Sequence, residues 1–134
     1  MRDSTLIKKC LEARKSAYVP YSHFAVGAAL LCADGKVYTG CNIENASFSP
    51  TVCAERTAFF KAVSEGHKDF EAIAICGAPD SEEPTVICPP CGACRQVMQE
   101  FCRPDFRVIL YGSAGRTKVY TLNQIMPLRF DLMD

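Results

Sequence analysis

Apolar residues recur at helical spacing near the start of the chain, where Leu6, Ile7, Cys10, Leu11 and Ala17 share one face opposite Lys8, Lys9, Glu12 and Lys15. That spacing predicts an amphipathic helix capped by Ser4, running to about Ala17 and ended by Val19-Pro20-Tyr21. The pattern then changes. Phe24 to Cys32 is a continuous run of apolar and small residues, Ala33-Asp34-Gly35-Lys36 has turn chemistry, and Val37-Tyr38-Thr39-Gly40 follows, together predicting a β-hairpin. Asn42-Ile43-Glu44-Asn45 leaves the second strand as a polar loop, and a helix is expected over 52–65, stopped by Gly66. The run 70–76 is apolar enough for a strand covered on both faces, whereas 77–84, rich in Pro, Asp and Glu, reads as an exposed loop. Pro89-Pro90 introduces a helix over 92–102, closed by Arg103-Pro104. Strands over 106–111 and 116–121 flank the turn Gly112-Ser113-Ala114-Gly115, and a short helical turn covers 122–125.

Five strands and three longer helices predict one layered α/β domain over residues 1–134. Composition agrees: 134 residues at 49% apolar suffice for one core and are too few for two ordinary domains. Lys plus Arg equals Asp plus Glu at 15 each, and no run of five like charges occurs, so the electrostatic footprint of a nucleic-acid or anionic-membrane binder is missing. Small, uncharged partners are expected. With neither a secretory signal nor an apolar run of bilayer length, the chain is expected to be soluble and intracellular.

The cysteines change the picture. There are nine, an odd number, and Cys88, Cys91 and Cys94 cluster at CxxCxxC spacing, which favours reduced thiols and a metal over a disulfide framework. Cys10, Cys32, Cys41, Cys76 and Cys102 sit among apolar neighbours and are expected to pack as small hydrophobes. Cys53-Ala54-Glu55-Arg56 and Pro90-Cys91-Gly92-Ala93-Cys94 offer three thiolates, from Cys53, Cys91 and Cys94, and a carboxylate, Glu55, not needed as a ligand. Zinc held by three protein groups keeps a fourth position for water, and a spare acid can move that water's protons. Three thiolates over-neutralise Zn²⁺, and Arg56, three residues after Cys53, can return along a helix to offset the excess charge.

Other metal chemistries compete for the same cysteines. A bacterial iron–sulfur run would need a cysteine where Met98 stands. A closed structural zinc site using Cys53, Cys88, Cys91 and Cys94 remains open, predicts no enzyme, and leaves Glu55 without a role. A CxxC redox pair has only its spacing in support. The histidines, His23 and His67, fall outside the metal motif and are expected at a solvated surface.

Asn42-Ile43-Glu44-Asn45, Cys53-Ala54-Glu55-Arg56 and Pro90-Cys91-Gly92-Ala93-Cys94-Arg95-Gln96, in this order along the chain, resemble the small, homotetrameric, three-cysteine cytidine deaminases over essentially the whole chain. The resemblance implies a three-layer α/β/α sandwich with a mixed five-stranded sheet, and zinc-dependent hydrolytic deamination of cytidine and 2′-deoxycytidine in cytoplasmic pyrimidine salvage. It implies one Zn²⁺ per subunit on Cys53, Cys91 and Cys94, with Glu55 as proton carrier. It also assigns Asn42 and Glu44 to the ribose hydroxyls, Phe24 to the pyrimidine pocket and Ala54 to a backbone contact with the base. Phe130, after Met126-Pro127-Leu128-Arg129, resembles an aromatic that reaches a neighbouring subunit's site in a homotetramer. Phe48 stands where relatives often have Tyr, and Pro89 where many have Ser. A deaminase of another cytosine-containing small molecule is the nearest rival, and Asn42-Ile43-Glu44-Asn45 favours a nucleoside.

Overall fold

The computed structural model describes residues 1–132, so the last two residues of the expected 1–134 domain lie outside the described residues. Helix α1 (Asp3–Arg14) precedes a hairpin of β1 (Phe24–Cys32) and β2 (Val37–Cys41). Helix α2 (Ala54–Ser64), strand β3 (Phe70–Pro79) and helix α3 (Gly92–Phe101) follow, then β4 (Arg107–Leu110), β5 (Lys118–Thr121) and the short α4 (Leu122–Ile125). The sheet runs in the order β2-β1-β3-β4-β5. Among the described residues, β3 and β4, linked across α3, pair in parallel and the other neighbouring strands pair antiparallel, so the five-stranded sheet is mixed as expected.

Alternation along β1 explains why its sequence lacks a polar face. Ala28, Leu30 and Cys32 point to the layer containing Phe59 of α2 and Met98 of α3, while Ala29 and Leu31 meet Leu6 and Cys10 of α1. Helices therefore cover both faces, giving the three-layer α/β/α arrangement. Phe59, fully buried, meets Phe70 edge-on at 5.2 Å and ties α2 to the start of β3.

Several boundaries depart from the sequence expectation. Helix α1 starts at Asp3, with Arg2 at the N-cap position and no side-chain cap there, rather than after a Ser4 cap. Arg107 Nη1 donates to Asp3 Oδ1 at 3.0 Å and anchors this first turn to β4. The helix ends at Arg14, not near Ala17. Arg14 turns inward, donating to the carbonyls of Ala25 (2.9 Å), Ala78 (3.1 Å), Pro79 (2.7 Å) and Glu82 (2.8 Å). Strand β3 runs to Pro79, converting part of the expected 77–84 loop into strand, because Ala78 and Pro79 pair with Ala25 and Phe24 at the start of β1. Proline sits there at the strand's end, where its missing N–H breaks no interior ladder. Strand β5 begins at Lys118 because Thr117 Oγ1 closes the preceding turn by donating to Gly112 O at 2.8 Å.

Two features carry the fold to the site. Val52, expected in a helix, instead pairs with Ile43 as an isolated antiparallel bridge, with each N–H reaching the other's carbonyl at 3.0 Å, so α2 starts at Ala54. This bridge brings the Asn42–Glu44 loop beside the N-terminus of α2. Gly40 lets α2 lie directly on β2: a Cβ there would stand 2.4 Å from Ala54 O and 2.7 Å from Ala58 N.

Candidate active site

Two helix N-termini meet at the sulfurs. Cys53 is the N-cap residue of α2 and Cys91 that of α3, both in extended conformation, and Cys94 follows in the first turn of α3. Cys53 Sγ lies 3.8 Å from Cys91 Sγ, and Cys91 Sγ lies 3.6 Å from Cys94 Sγ. A tetrahedral zinc with bonds of about 2.3 Å has sulfurs about 3.8 Å apart. The three sulfurs, all within 4.8 Å of one another, therefore already have the spacing of one coordination shell. The donor set fits zinc.

The electrostatics favour a metal as well. Arg56 Nη2 donates to Cys53 Sγ at 3.3 Å, as expected, and Arg56 Nε is buried with no hydrogen-bond partner among the described residues. Hydrogen bonding from Cys94 and Arg56 pulls the Cys53 thiol down to about 5. Its bond with Cys53, and then burial, push Cys94 up, because within one thiol cluster one sulfur holds the proton another gives up. Cys53 is therefore the sulfur of the cluster that offers a thiolate near neutral pH. Glu55, the second residue of α2, is buried beside it, and burial raises its carboxyl from 4.5 to about 7, with the Cys53 charge adding to the effect. A buried acid that titrates near neutrality can both accept and return a proton.

A 190 Å³ cavity opens onto this cluster, walled by Val26, Asn42, Ala54, Glu55, Cys88 and Pro89 together with Cys53 and Cys91. Pockets that bury a whole small ligand usually exceed about 300 Å³, so this one suits a single ring. Asn42 faces it with its amide held in place: Oδ1 accepts from Val26 N at 2.9 Å and Nδ2 donates to Phe24 O at 2.8 Å. Phe24 lines an adjoining 400 Å³ cavity that shares Cys88 and Pro89 with the first. Glu44 lies apart from both cavities, in a 290 Å³ recess with Tyr21 and Phe48. There its carboxylate accepts from Tyr21 N and Ser22 N, each at 3.1 Å.

Phe130 does not line the cavity. Its carbonyl accepts from Gln96 Nε2 at 3.0 Å, tethering the tail to α3, while the residue as a whole is 65% exposed. The fold thus brings together Cys53, Ala54, Glu55, Arg56, Cys91, Cys94 and Asn42, sets Phe24 and Glu44 at the margin, and leaves Phe130 facing outward.

Sequence reasoning offers Cys88 only as a fourth ligand. The structure leaves it outside the three-sulfur group, as part of the cavity wall, where burial pushes its thiol up to about 11. Val26 is also missed, since a valine inside an apolar run carries no signal beyond packing. His67 departs from the expected solvated role. It is half-buried, meets Tyr38 edge-on at 5.2 Å, and lies 3.1 Å from Asp34 Oδ2 through Nε2.

Residues 1–110 match the cytidine and deoxycytidylate deaminase zinc-binding region. A cytidine deaminase of Halalkalibacterium halodurans is 52% identical over 129 residues, 96% of this chain and 94% of its own length. One from Sporosarcina psychrophila is 50% identical, covering 96% of this chain and 91% of its own. A crystal structure of cytidine deaminase from Burkholderia pseudomallei superposes with a TM-score of 0.88 at 45% identity, covering 97% of this chain and all of that one. The match spans both halves of the sulfur cluster, and the chain belongs to the zinc-dependent cytidine and deoxycytidylate deaminase family.

Proposed function

We propose that this chain hydrolyses the C4 amine of cytidine and 2′-deoxycytidine, releasing uridine or 2′-deoxyuridine and ammonia, as a cytoplasmic step of pyrimidine salvage. The observation that carries the proposal is the buried carboxyl of Glu55 beside three sulfurs spaced for one zinc, at the end of a ring-sized cavity.

Cys53, Cys91 and Cys94 would hold one zinc ion per subunit. When bound, zinc supplies the Lewis acidity that makes water a nucleophile near neutral pH. Glu55 takes a proton from the attacking water, delivers it to N3 of the pyrimidine, and passes the next to the departing amine, so one water is consumed and one ammonia leaves. Arg56, hydrogen-bonded to Cys53, offsets the charge of three thiolates. Ala54 opens α2, where backbone N–H groups lack helical partners, and so offers a donor to the base. Asn42, already clamped to β1, keeps hydrogen-bonding capacity for a ribose hydroxyl; Glu44 serves the sugar by exchanging its bonds to Tyr21 and Ser22. Phe24, in the wall of the adjoining cavity, serves the pyrimidine on this reading.

The single domain over residues 1–134 assembles as a homotetramer on this reading, with Phe130 entering a neighbour's site. Phe48 (89% exposed), Leu128 (94%) and Phe130 are large apolar side chains left in solvent, as suits surfaces that meet other copies.

The decisive experiment follows pyrimidine absorbance with cytidine and with 2′-deoxycytidine, before and after zinc chelation. Turnover lost on chelation and restored by zinc is expected. Absence of turnover of either nucleoside by zinc-loaded protein would overturn the proposal in favour of a structural metal. Glu55→Gln is expected to keep zinc while turnover falls by about 10²–10⁴-fold. A solution mass corresponding to a monomer would remove the role given to Phe130.

A further inference from the structure

A second set of metal-ligating side chains lies at the far end of β1 from the sulfur cluster. Cys32 is six residues beyond Val26, roughly 20 Å along a strand. Cys32 Sγ, a carboxylate oxygen of Asp34 and a ring nitrogen of His67 all lie within 4.8 Å of one another. We propose that Cys32, Asp34 and His67 form a second divalent transition-metal site, suited to zinc and separate from the catalytic cluster.

The spacing supports it. An ion bonded tetrahedrally at about 2.0–2.3 Å keeps its ligand atoms about 3.3–3.8 Å apart. His67 Nε2 and Asp34 Oδ2 stand at 3.1 Å, and closing the group around an ion takes side-chain movement of about 1 Å at most. Each ligand is held by local backbone. Cys32 sits at a register shift between β1 and β3, and its N–H bonds to Lys36 O at 2.8 Å across the turn. Asp34 Oδ1 accepts from Lys36 N at 3.0 Å, leaving Oδ2 directed at His67. His67 N donates to Ala62 O at 3.0 Å, fixing the residue just past the end of α2.

The outer arrangement is that of a ligating histidine. Nε2 faces the ion position, while Nδ1 is 3.2 Å from Tyr38 Oη, whose hydroxyl donates to Glu65 Oε1 at 3.0 Å. A histidine whose second nitrogen is fixed this way has its tautomer and ring plane set for metal binding. Charge also balances: one thiolate, one carboxylate and a neutral imidazole cancel a divalent ion. The remaining nearby charges, Lys36 and Glu65, lie 3.8 Å apart and offset each other. Binding releases the Cys32 thiol proton to solvent and replaces the contact between His67 and Asp34 with two metal bonds. Asp34, 61% exposed in its side chain, leaves an access path, and sulfur with nitrogen among the donors favours zinc over calcium or magnesium. A hydrogen-bonded Asp–His pair beside a packing cysteine is the competing account.

The test counts zinc retained per chain after excess metal is removed by desalting, with cobalt absorption as a second readout. Wild type is expected to retain two equivalents; Cys32→Ser and His67→Gln are expected to retain one, with the intense thiolate-to-cobalt absorption of the three-cysteine cluster preserved. Asp34→Asn, on an exposed turn whose Oδ1 acceptor is kept, is expected to weaken the second equivalent by about tenfold or more. Wild type retaining a single equivalent would overturn the proposal, and so would a second equivalent that survives both Cys32→Ser and His67→Gln.

Discussion

Gly40→Ala tests whether the contact between β2 and α2 sets the geometry of the active site. The added Cβ would lie 2.4 Å from Ala54 O and 2.7 Å from Ala58 N, where ordinary contact begins at 3.4 Å, so α2 must retreat by about 1 Å. Both opposing atoms are backbone, and no side-chain rotation relieves them. Ala54 is the first residue of α2, adjoining Cys53 and Glu55, so the retreat moves together the two residues proposed as metal ligand and proton carrier. Overpacking of this kind costs about 1–3 kcal/mol in stability. A displacement of about 1 Å at reacting groups costs about 10²-fold in rate. Urea unfolding and kcat/KM for cytidine would therefore both change, with kcat/KM falling about 100-fold. Gly115→Ala is the control: its φ of +79° strains alanine, but nothing lies within 4 Å of the new Cβ. It should lose about 1 kcal/mol and keep wild-type kcat/KM. If Gly40→Ala also keeps wild-type kcat/KM while losing stability, the close approach does not position the site.

Arg56→Ala removes the cation bonded to Cys53 Sγ and is expected to lower zinc affinity or turnover by about 10–100-fold, measured by competition with a chromophoric chelator and by steady-state kinetics. Unchanged values of both would remove its compensating role. Glu55 in the metal-free protein should give a pH signature. Its folded value, about 7, lies above the ordinary 4.5, so folding takes up a proton between them and this contribution is lost as pH rises through about 7. Chelated wild type should lose about 2–3 kcal/mol between pH 5 and 8 relative to Glu55→Gln, by denaturant unfolding; parallel curves would refute the burial argument. Asp3 has the opposite sign. The Arg107 hydrogen bond holds its carboxyl below the usual range, so its contribution is present above about pH 4 and is lost as pH falls through the lowered value. Both side chains are partly exposed, at 45% for Arg107 and 40% for Asp3, so Asp3→Asn should cost less than about 1 kcal/mol, an effect that 1 M salt largely erases.

Periodicity located the elements because burial imposes it. The continuous apolar runs of β1 and β3 report strands covered on both faces, and the spacing of Cys91 and Cys94 reports a helical start that brings two sulfurs within 3.6 Å. Cys53 and Glu55 were legible for a chemical reason: few arrangements other than a metal site place a spare acid beside a third thiol. Boundaries were less legible because partners distant in sequence set them. Arg14 ends α1 by reaching carbonyls as far along the chain as Glu82, and Ala78 becomes strand only because Ala25 lies beside it.

Reaction class was readable from the amino-acid order, since three thiols at metal spacing and a spare carboxylate are local properties of two short segments. Only the tertiary fold shows that Asn42 faces the ring-sized cavity while Glu44 is occupied with Tyr21 and Ser22, that Cys88 stands in the cavity wall outside the three-sulfur group, and that His67 meets Cys32 and Asp34. These pairings depend on the strand order β2-β1-β3-β4-β5 and on how closely α2 settles over Gly40. Both arise from packing between segments far apart in the chain, which no local pattern encodes.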